Sequence, residues 1–329
     1  MPDFAKLSDI ASEKLGGKVL LASDDFFAEK ENLIKPGRGI FIPDKYTDRG
    51  KWMDGWESRR KRTEGHDWCI VQLATPGIIH GVDIDTNHFL GNHPPHASIE
   101  AINIHKHPFT NFENAQWKEI LPKSPLLPGS NNYYPIEDQN VFTHIKLHIY
   151  PDGGVARLKV YGDVFKDWST VEKSETVNLA AATNGARPIF CNDMFFSHME
   201  NLIMPHKGLN MGDGWETKRN RTPGNKDWVI IRLAHIGIIE KILVDTAFFK
   251  GNFPDSCMIE GCVLENDDES KFLDGDVNWK LLLPQSKLQA DHEHFFESEI
   301  ADNGPFTHVR LTIFPDGGVS RLRLWGRVT

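Results

Sequence analysis

Two stretches of this chain carry the same polar residues in the same order. Asp54-Gly55-Trp56-Glu57 leads into Arg59, Arg60 and Arg62, and Asp213-Gly214-Trp215-Glu216 leads into Lys218, Arg219 and Arg221. Two carboxylates three positions apart beside clustered guanidinium groups suit one kind of chemistry: an arginine fork holds an anion while a carboxylate moves protons. Arg60 and Arg62 keep arginine counterparts in Arg219 and Arg221, whereas Arg59 meets Lys218, so Arg60 and Arg62 are the better anion-binding candidates. The competing structural reading is a salt-bridged surface loop with the tryptophan as its anchor. Further on, Asp85 and Asp245 each close an apolar run and are followed by Thr and then by Gly-Asn, ending in Asn92 and Asn252. An Asx-type turn cap explains that pattern without any chemistry. Asp83 shares a strand face with Asp85, but the other copy has Leu243 there.

Other chemistries find less support. The fifteen histidines include His93-x-x-His96, His105-x-His107, His144/His148 and His292-x-His294, all with metal-like spacing, yet only His144 has a counterpart, His308. A hydrogen-bonded, half-buried imidazole is the favoured reading of His144. No G-x-S-x-G, G-x-G-x-x-G or G-x-x-x-x-G-K-[ST] is present, and no cysteine is shared between the copies, which leaves nucleophilic catalysis and nucleotide binding without a motif.

The elements that position these residues are themselves duplicated. H-D-W-C-I-V-Q-L-A and G-I-I-H-G-V-D-I-D-T return as K-D-W-V-I-I-R-L-A and G-I-I-E-K-I-L-V-D-T, two apolar strand-like runs in each copy. Upstream, Glu31-Asn32-Leu33-Ile34 returns as Glu200-Asn201-Leu202-Ile203; the larger offset there gives the first copy about ten extra residues between Pro36 and Asp54, in I-F-I-P-D-K-Y-T-D-R-G-K. An insertion of that kind reads as a surface loop of a size to cover a site. Downstream, F-T-H-I-K-L-H-I-Y-P-D-G-G-V-A-R-L-K-V-Y-G matches F-T-H-V-R-L-T-I-F-P-D-G-G-V-S-R-L-R-L-W-G. Thr143, Ile145, Leu147 and Ile149 alternate with His144, Lys146, His148 and Tyr150, and the glycines after Pro151-Asp152 predict a β-hairpin. Helical signals are confined to residues 9–14 and 26–33. The whole predicts an all-β chain, two tandem jelly-roll β-sandwiches, with a first repeat over residues 1–165 and a second over 166–329.

Composition is that of a soluble globular protein, 40% hydrophobic and 25% charged, and 329 residues suit two domains that each bury a core. A formal net charge of −9 argues against nucleic acid or an anionic membrane surface as a partner. No apolar run approaches the roughly eighteen residues of a membrane span, and the first residues lack a signal-peptide core. Cys69, Cys191, Cys257 and Cys262 are dispersed, which reads as reduced, buried thiols of a cytoplasmic protein.

The doubled D-G-W-E-[ST]-[RK]-R, D-W-x-I and D-T-x-x-F-x-G-N, with W-K-x-[IL]-L-P and the P-D-G-G segment, resemble the allantoicase (allantoate amidinohydrolase) family over nearly the whole chain. The resemblance implies a galactose-binding-like jelly roll in each repeat. It implies hydrolysis of allantoate to ureidoglycolate and urea in purine breakdown. It also leaves room for a divalent ion such as Mn²⁺ whose ligands no motif spells out, and for a homo-oligomer. On that chemistry Arg60 or Arg62, with Arg157 as a further candidate, pairs with the substrate carboxylate, and Asn92 hydrogen-bonds a ureido group. Asp54 or Glu57 protonates the departing nitrogen, and another carboxylate such as Asp85 activates water. The equivalents in the second repeat are Asp213, Glu216, Arg219, Arg221, Asp245, Asn252 and Arg321. The alternative is a non-catalytic galactose-binding-like protein, since fold does not fix function; a sugar platform would need an exposed aromatic rather than a repeated Asp/Glu/Arg set.

Overall fold

The computed structural model describes residues 1–104, 111–264, 269–275 and 277–329; the His105–His107 pair lies outside the described residues. The chain forms two compact units, Met1–Phe165 and Lys166–Thr329, each an antiparallel β-sandwich.

Each unit is built around one long strand. Asp67–Asp85 runs for 19 residues, and so does Asp227–Asp245. The two apolar runs read from the sequence are thus the two parts of a single strand. In the first unit, residues 69–72 pair with Lys18–Ala22 on one side, and residues 67–72 and 77–78 pair with Val141–Tyr150 on the other. Residues between 77 and 85 pair with Arg157–Val164, and residues 81–83 with Tyr133–Pro135. The partners change along the strand, so one strand serves both layers. His96–Ile102 and Lys118–Pro125 extend the first layer, and Ser8–Asp9 extends the second. Alternation decides which side chains meet in the middle: Ile145, Leu147, Ile149, Val82, Ile84, Leu158 and Val160 are all fully buried. The second unit repeats the arrangement, with Arg187–Cys191, Phe306–Phe314, Arg321–Val328 and Glu293–Phe296 around its long strand.

The segment expected to be a hairpin is a crossing. Val141–Tyr150 and Arg157–Val164 do not pair with each other; they lie against opposite ends of Asp67–Asp85 and meet the same residues only at Gly77 and Ile78. Alternation foretold the strands but carries no information on their partners. Gly153 has φ +137°, and a Cβ there would come within 2.5 Å of Asn92 O. A Cβ on Gly154 would lie 2.0 Å from Phe89 Cδ1. The glycines therefore let the backbone pass from one layer to the other while pressed against the loop that follows Asp85. Gly317 and Gly318 do the same against Asn252 and Phe249.

The helical expectations fare differently. Residues 26–33 contribute to a short 3-10 turn, Lys30–Ile34, while residues 9–14 form turns rather than a helix. Runs that short gain too few hydrogen bonds to offset nucleation. Among the described residues the α-helix Lys271–Asp274 is one turn long, and no helix is long and apolar enough to cross a membrane. The four cysteines are free thiols; Cys69, Cys257 and Cys262 are buried and Cys191 is half-buried. Burial pushes the Cys257 and Cys262 thiols up to about 12 and Cys191 to about 11, so none is a reactive thiolate at neutral pH.

Replacing Gly154 with alanine tests the crossing. A methyl group inserted at a 2.0 Å gap must displace Phe89, and overpacking of this kind costs on the order of 1–3 kcal/mol. The expected outcome is a lower urea midpoint with an unchanged slope for Gly154→Ala, whereas Gly91→Ala, where nothing lies within 4 Å, stays at the parent value.

Candidate active site

Glu57 sits at the focus of the repeated motif because three neighbours fix its backbone. Trp56 is fully buried and its indole N–H donates to Asp24 O at 2.8 Å. Trp56–Glu57 pairs with Gly154–Val155, placing Glu57 opposite Gly154, and Ala28 bridges Glu57 from the other edge. With Trp56 driven inward, strand alternation turns Glu57 the other way. There Asn92 Nδ2 donates to Glu57 Oε1 at 2.7 Å, while Asn92 O accepts from Gly154 N at 2.8 Å. Burial raises the Glu57 carboxyl above its ordinary value and outweighs the Asn92 hydrogen bond, which acts the other way. Among the described residues no cation pairs with Glu57.

Glu57 and Asn92 line a cavity of about 420 Å³ with Phe27, Phe41, Arg49, Lys51 and His88. That volume falls within the range of small-molecule sites. One wall of it is the insertion of the first repeat. Ile40 N donates to Asp54 Oδ2 at 2.9 Å across fourteen positions, and Leu209 N makes the same bond to Asp213 Oδ2 at 3.2 Å across four. The difference of ten is the insertion, added between two anchor points that both units keep. Inside it Tyr46–Thr47 pairs with Gly50–Lys51 as a small hairpin. Phe41 stacks on His88 at 5.5 Å, and Arg49 lies over Phe26 at 5.2 Å and donates to Phe26 O at 3.1 Å. His88 has φ +68° and its counterpart Phe248 has φ +72°, so the turn after the long strand keeps an uncommon backbone in both units.

The other carboxylates named from the sequence are committed elsewhere. Asp54 Oδ2 pairs with Arg157 Nη2 at 2.8 Å, and Arg157 Nη1 also donates to Asp54 O at 3.0 Å. Burial pushes Asp54 upward, but the bonds from Arg157 and the Ile40 amide outweigh it and hold the carboxyl below its ordinary value. Arg157 is 3% exposed, so it is a loop anchor rather than a free clamp. Arg321 and Asp213 form the same pair at 2.8 Å. Asp85 is 1% exposed and takes a two-pronged contact from Arg38, Nε to Oδ2 at 2.9 Å and Nη2 to Oδ1 at 3.2 Å. The Asx-type cap is also present, with Asn87 N donating to Asp85 Oδ1 at 2.9 Å, and Ala247 N to Asp245 Oδ1 at 2.8 Å.

The expected arginines lie apart from the cavity. Arg60, Arg62, Arg219 and Arg221 are exposed, and neither Arg60 nor Arg62 lines it. Residues that sequence reasoning passed over are Arg38, Arg49, Lys51 and His88. Arg49 and Lys51 carried a readable signal, since both lie within the insertion. In the second unit Glu216 again accepts from Asn252 Nδ2, yet no hairpin covers the pair, and Phe196, Leu209 and Met211 remain exposed around that loop.

A divalent ion finds no evident cage. Among the described residues no three His, Cys, Asp or Glu side chains are placed to hold one. His144 is 1% exposed and bonds Thr143 at 2.9 Å, and His294 spends its ring nitrogens on Val244 O and Gln289 N.

Comparison with known proteins agrees with this architecture. Residues 8–165 and 177–329 each match the allantoicase repeat. The chain is 50% identical over 326 residues to a probable allantoicase 1 of Burkholderia mallei, covering 99% of this chain and 96% of that protein. It is 50% identical over 325 residues to a probable allantoicase of Pseudomonas fluorescens, covering 99% and 97%. The crystal structure of Saccharomyces cerevisiae allantoicase superposes with a TM-score of 0.83 at 39% identity, over 98% of this chain and 93% of that one. With two matching repeats and relatives at this identity along its whole length, the chain belongs to the allantoicase family.

Proposed function

We propose that this protein hydrolyses allantoate to ureidoglycolate and urea in the cavity of the first unit, with Glu57 moving the protons. The observation that carries this reading is Glu57 itself: a carboxyl without a cationic partner among the described residues, held by Asn92, facing an open cavity lined by the insertion. The reaction exchanges a C–N bond for a C–O bond on the carbon that bears both ureido groups. Urea is a poor leaving group unless its nitrogen gains a proton as the bond breaks. A carboxyl whose proton is held to higher pH than usual is suited to donate it. The remaining ureido nitrogen feeds its lone pair to the same carbon as urea leaves. Water then adds there, and the Glu57 carboxylate takes back the proton that water gives up, so atoms and charge balance. Asn92 fixes the carboxyl rotamer throughout, and positioning of this kind is a large part of catalysis. No step is routed through a metal.

This reading places catalysis in the first unit. The second keeps the Glu216–Asn252 pair but lacks the insertion that lines the first unit's cavity. Glu57→Gln is expected to lower kcat for urea release at least a hundredfold, about 2.7 kcal/mol of barrier, and Glu216→Gln less than tenfold. Equal losses in both variants, or half activity in each with only the double variant dead, would overturn the choice of the first unit. No urea release from allantoate above background would overturn the activity.

Stability gives an independent check on the environment of Glu57. Its folded pKa is raised above the ordinary value of 4.5. The associated stability is therefore fully present below about 4.5 and lost as pH rises through the folded value. Glutamine keeps the acceptor for Asn92 and escapes that loss. Glu57→Gln is therefore expected to be more stable than the parent at pH 8, with the gap closing toward pH 4 in urea unfolding. A pH-independent gap would show that burial does not perturb this group.

A further inference from the structure

The geometry points to Lys51, assisted by Arg49, as the clamp for the substrate carboxylate, which makes the hairpin of the first unit the element that selects an acid over its neutral analogue. This rests on the catalytic reading of the same cavity. Nearby cations are already spent on carboxylates: Arg38 on Asp85, Arg59 on Asp24 and Lys61 on Asp67. The two that line the cavity are not. Lys51 Nζ donates to Pro43 O at 2.8 Å and lies 4.7 Å from the Phe41 ring and 5.6 Å from Tyr46. Arg49 rests on Phe26 and its carbonyl. All these partners are neutral, so they orient the cations without cancelling their charge.

An ammonium has three donors and a guanidinium five. Among the described residues each side chain donates to one carbonyl, which leaves donors for a ligand. Against a net charge of −9, two cations that have no acidic partner among the described residues form, in one small cavity, a local field that favours an anion. Glu57 is the acid that lines the same cavity. The arrangement gives a small carboxylic acid two ends to be held by: its carboxylate at the hairpin, and its departing nitrogen at Glu57. Between the matching anchors the second unit has Asn210, Met211 and Gly212 alone, none of them a cation.

The test compares allantoate with its carboxamide, in which the charge is removed and the shape kept. Lys51→Met is expected to raise KM for allantoate at least tenfold while leaving KM for the carboxamide unchanged, so that preference for the acid collapses. Arg49→Met should show the same pattern more weakly, and Lys51→Arg should restore most of the preference. Lys51 lies in an exposed hairpin; should Lys51→Met fail to fold, Lys51→Gln reads the same ratio. An unchanged acid-to-amide ratio in the Lys51 and Arg49 variants would refute the clamp. Calorimetric titration of allantoate into the parent, Lys51→Met and Glu57→Gln chains separates this from the catalytic reading. If Glu57→Gln keeps full kcat while Lys51→Met loses binding, the proton role fails and the clamp stands. If Lys51→Met binds as the parent does, the clamp fails whatever Glu57 does.

Discussion

The site depends on one close approach, the backbone of Gly154 pressed onto Phe89. Space for a side chain is absent there. Because the approach is that close, Gly154 N can reach Asn92 O at 2.8 Å while the same residue pairs with Glu57 in the short ladder. Glu57 and Asn92 lie far apart in sequence and on different loops. One glycine sets their relative position, and the core ring of Phe89 supports it from below. Gly318, Phe249, Asn252 and Glu216 repeat the construction. Precision at a polar site is thus inherited from packing, where small displacements are expensive.

The two units share this bed and differ in what lies above it. Asp54–Arg157 and Asp213–Arg321 hold the same loop at the same 2.8 Å, so that pair explains why both copies keep the residues without appealing to chemistry. Differences begin one step further out. Arg38 grips Asp85, whereas Lys207, at the matching place, pairs with Glu293 at 2.8 Å. Asp83 is buried, bonded by Asn131 and Asn132 and pushed up to about 6, while Leu243 fills the equivalent position with an apolar side chain. Both units bury ionisable groups around the long strand's end, Asp83, Asp85 and Arg157 in the first and Asp245, Arg321 and Arg323 in the second, where burial pushes Arg323 down to about 10.

Much of this was legible in the sequence, for reasons that also set the limits. Strands and core positions followed from period-two alternation, and the two-sandwich architecture followed from strands with short turns and a family resemblance. The partners of those strands did not: P-D-G-G reads locally as a hairpin turn, and the same glycines here permit a crossing between layers. Periodicity cannot separate the two, because both need a tight backbone and differ only in what packs against it. Among the site residues, Glu57 and Asn92 were singled out as separate candidates, and the structure places them 2.7 Å apart. Asp54, Asp85 and Arg157 stand out for the same reason, repetition, and the structure shows them in ion pairs, Asp54 with Arg157 and Asp85 with Arg38. Arg60 and Arg62 stand out because they repeat, yet both are exposed and neither lines the cavity that Glu57 faces.

An internal duplication therefore preserves two kinds of residue that look alike on the page. Polar groups that hold the frame must persist in both copies, since breaking a buried ion pair leaves an uncompensated charge at a cost of several kcal/mol. Groups that recognise a ligand need persist only where the ligand binds. Once one copy is relieved of that task, its recognition elements drift or disappear while its frame stays. Repetition alone therefore does not separate scaffold from site, and the glutamate proposed as reactive is the one whose scaffold is shared but whose surroundings are not. Glu57 and Glu216 occupy the same frame with the same asparagine partner. What distinguishes them is the ten-residue insertion, tied down at Ile40 and Asp54 and carrying Arg49 and Lys51 over one glutamate alone.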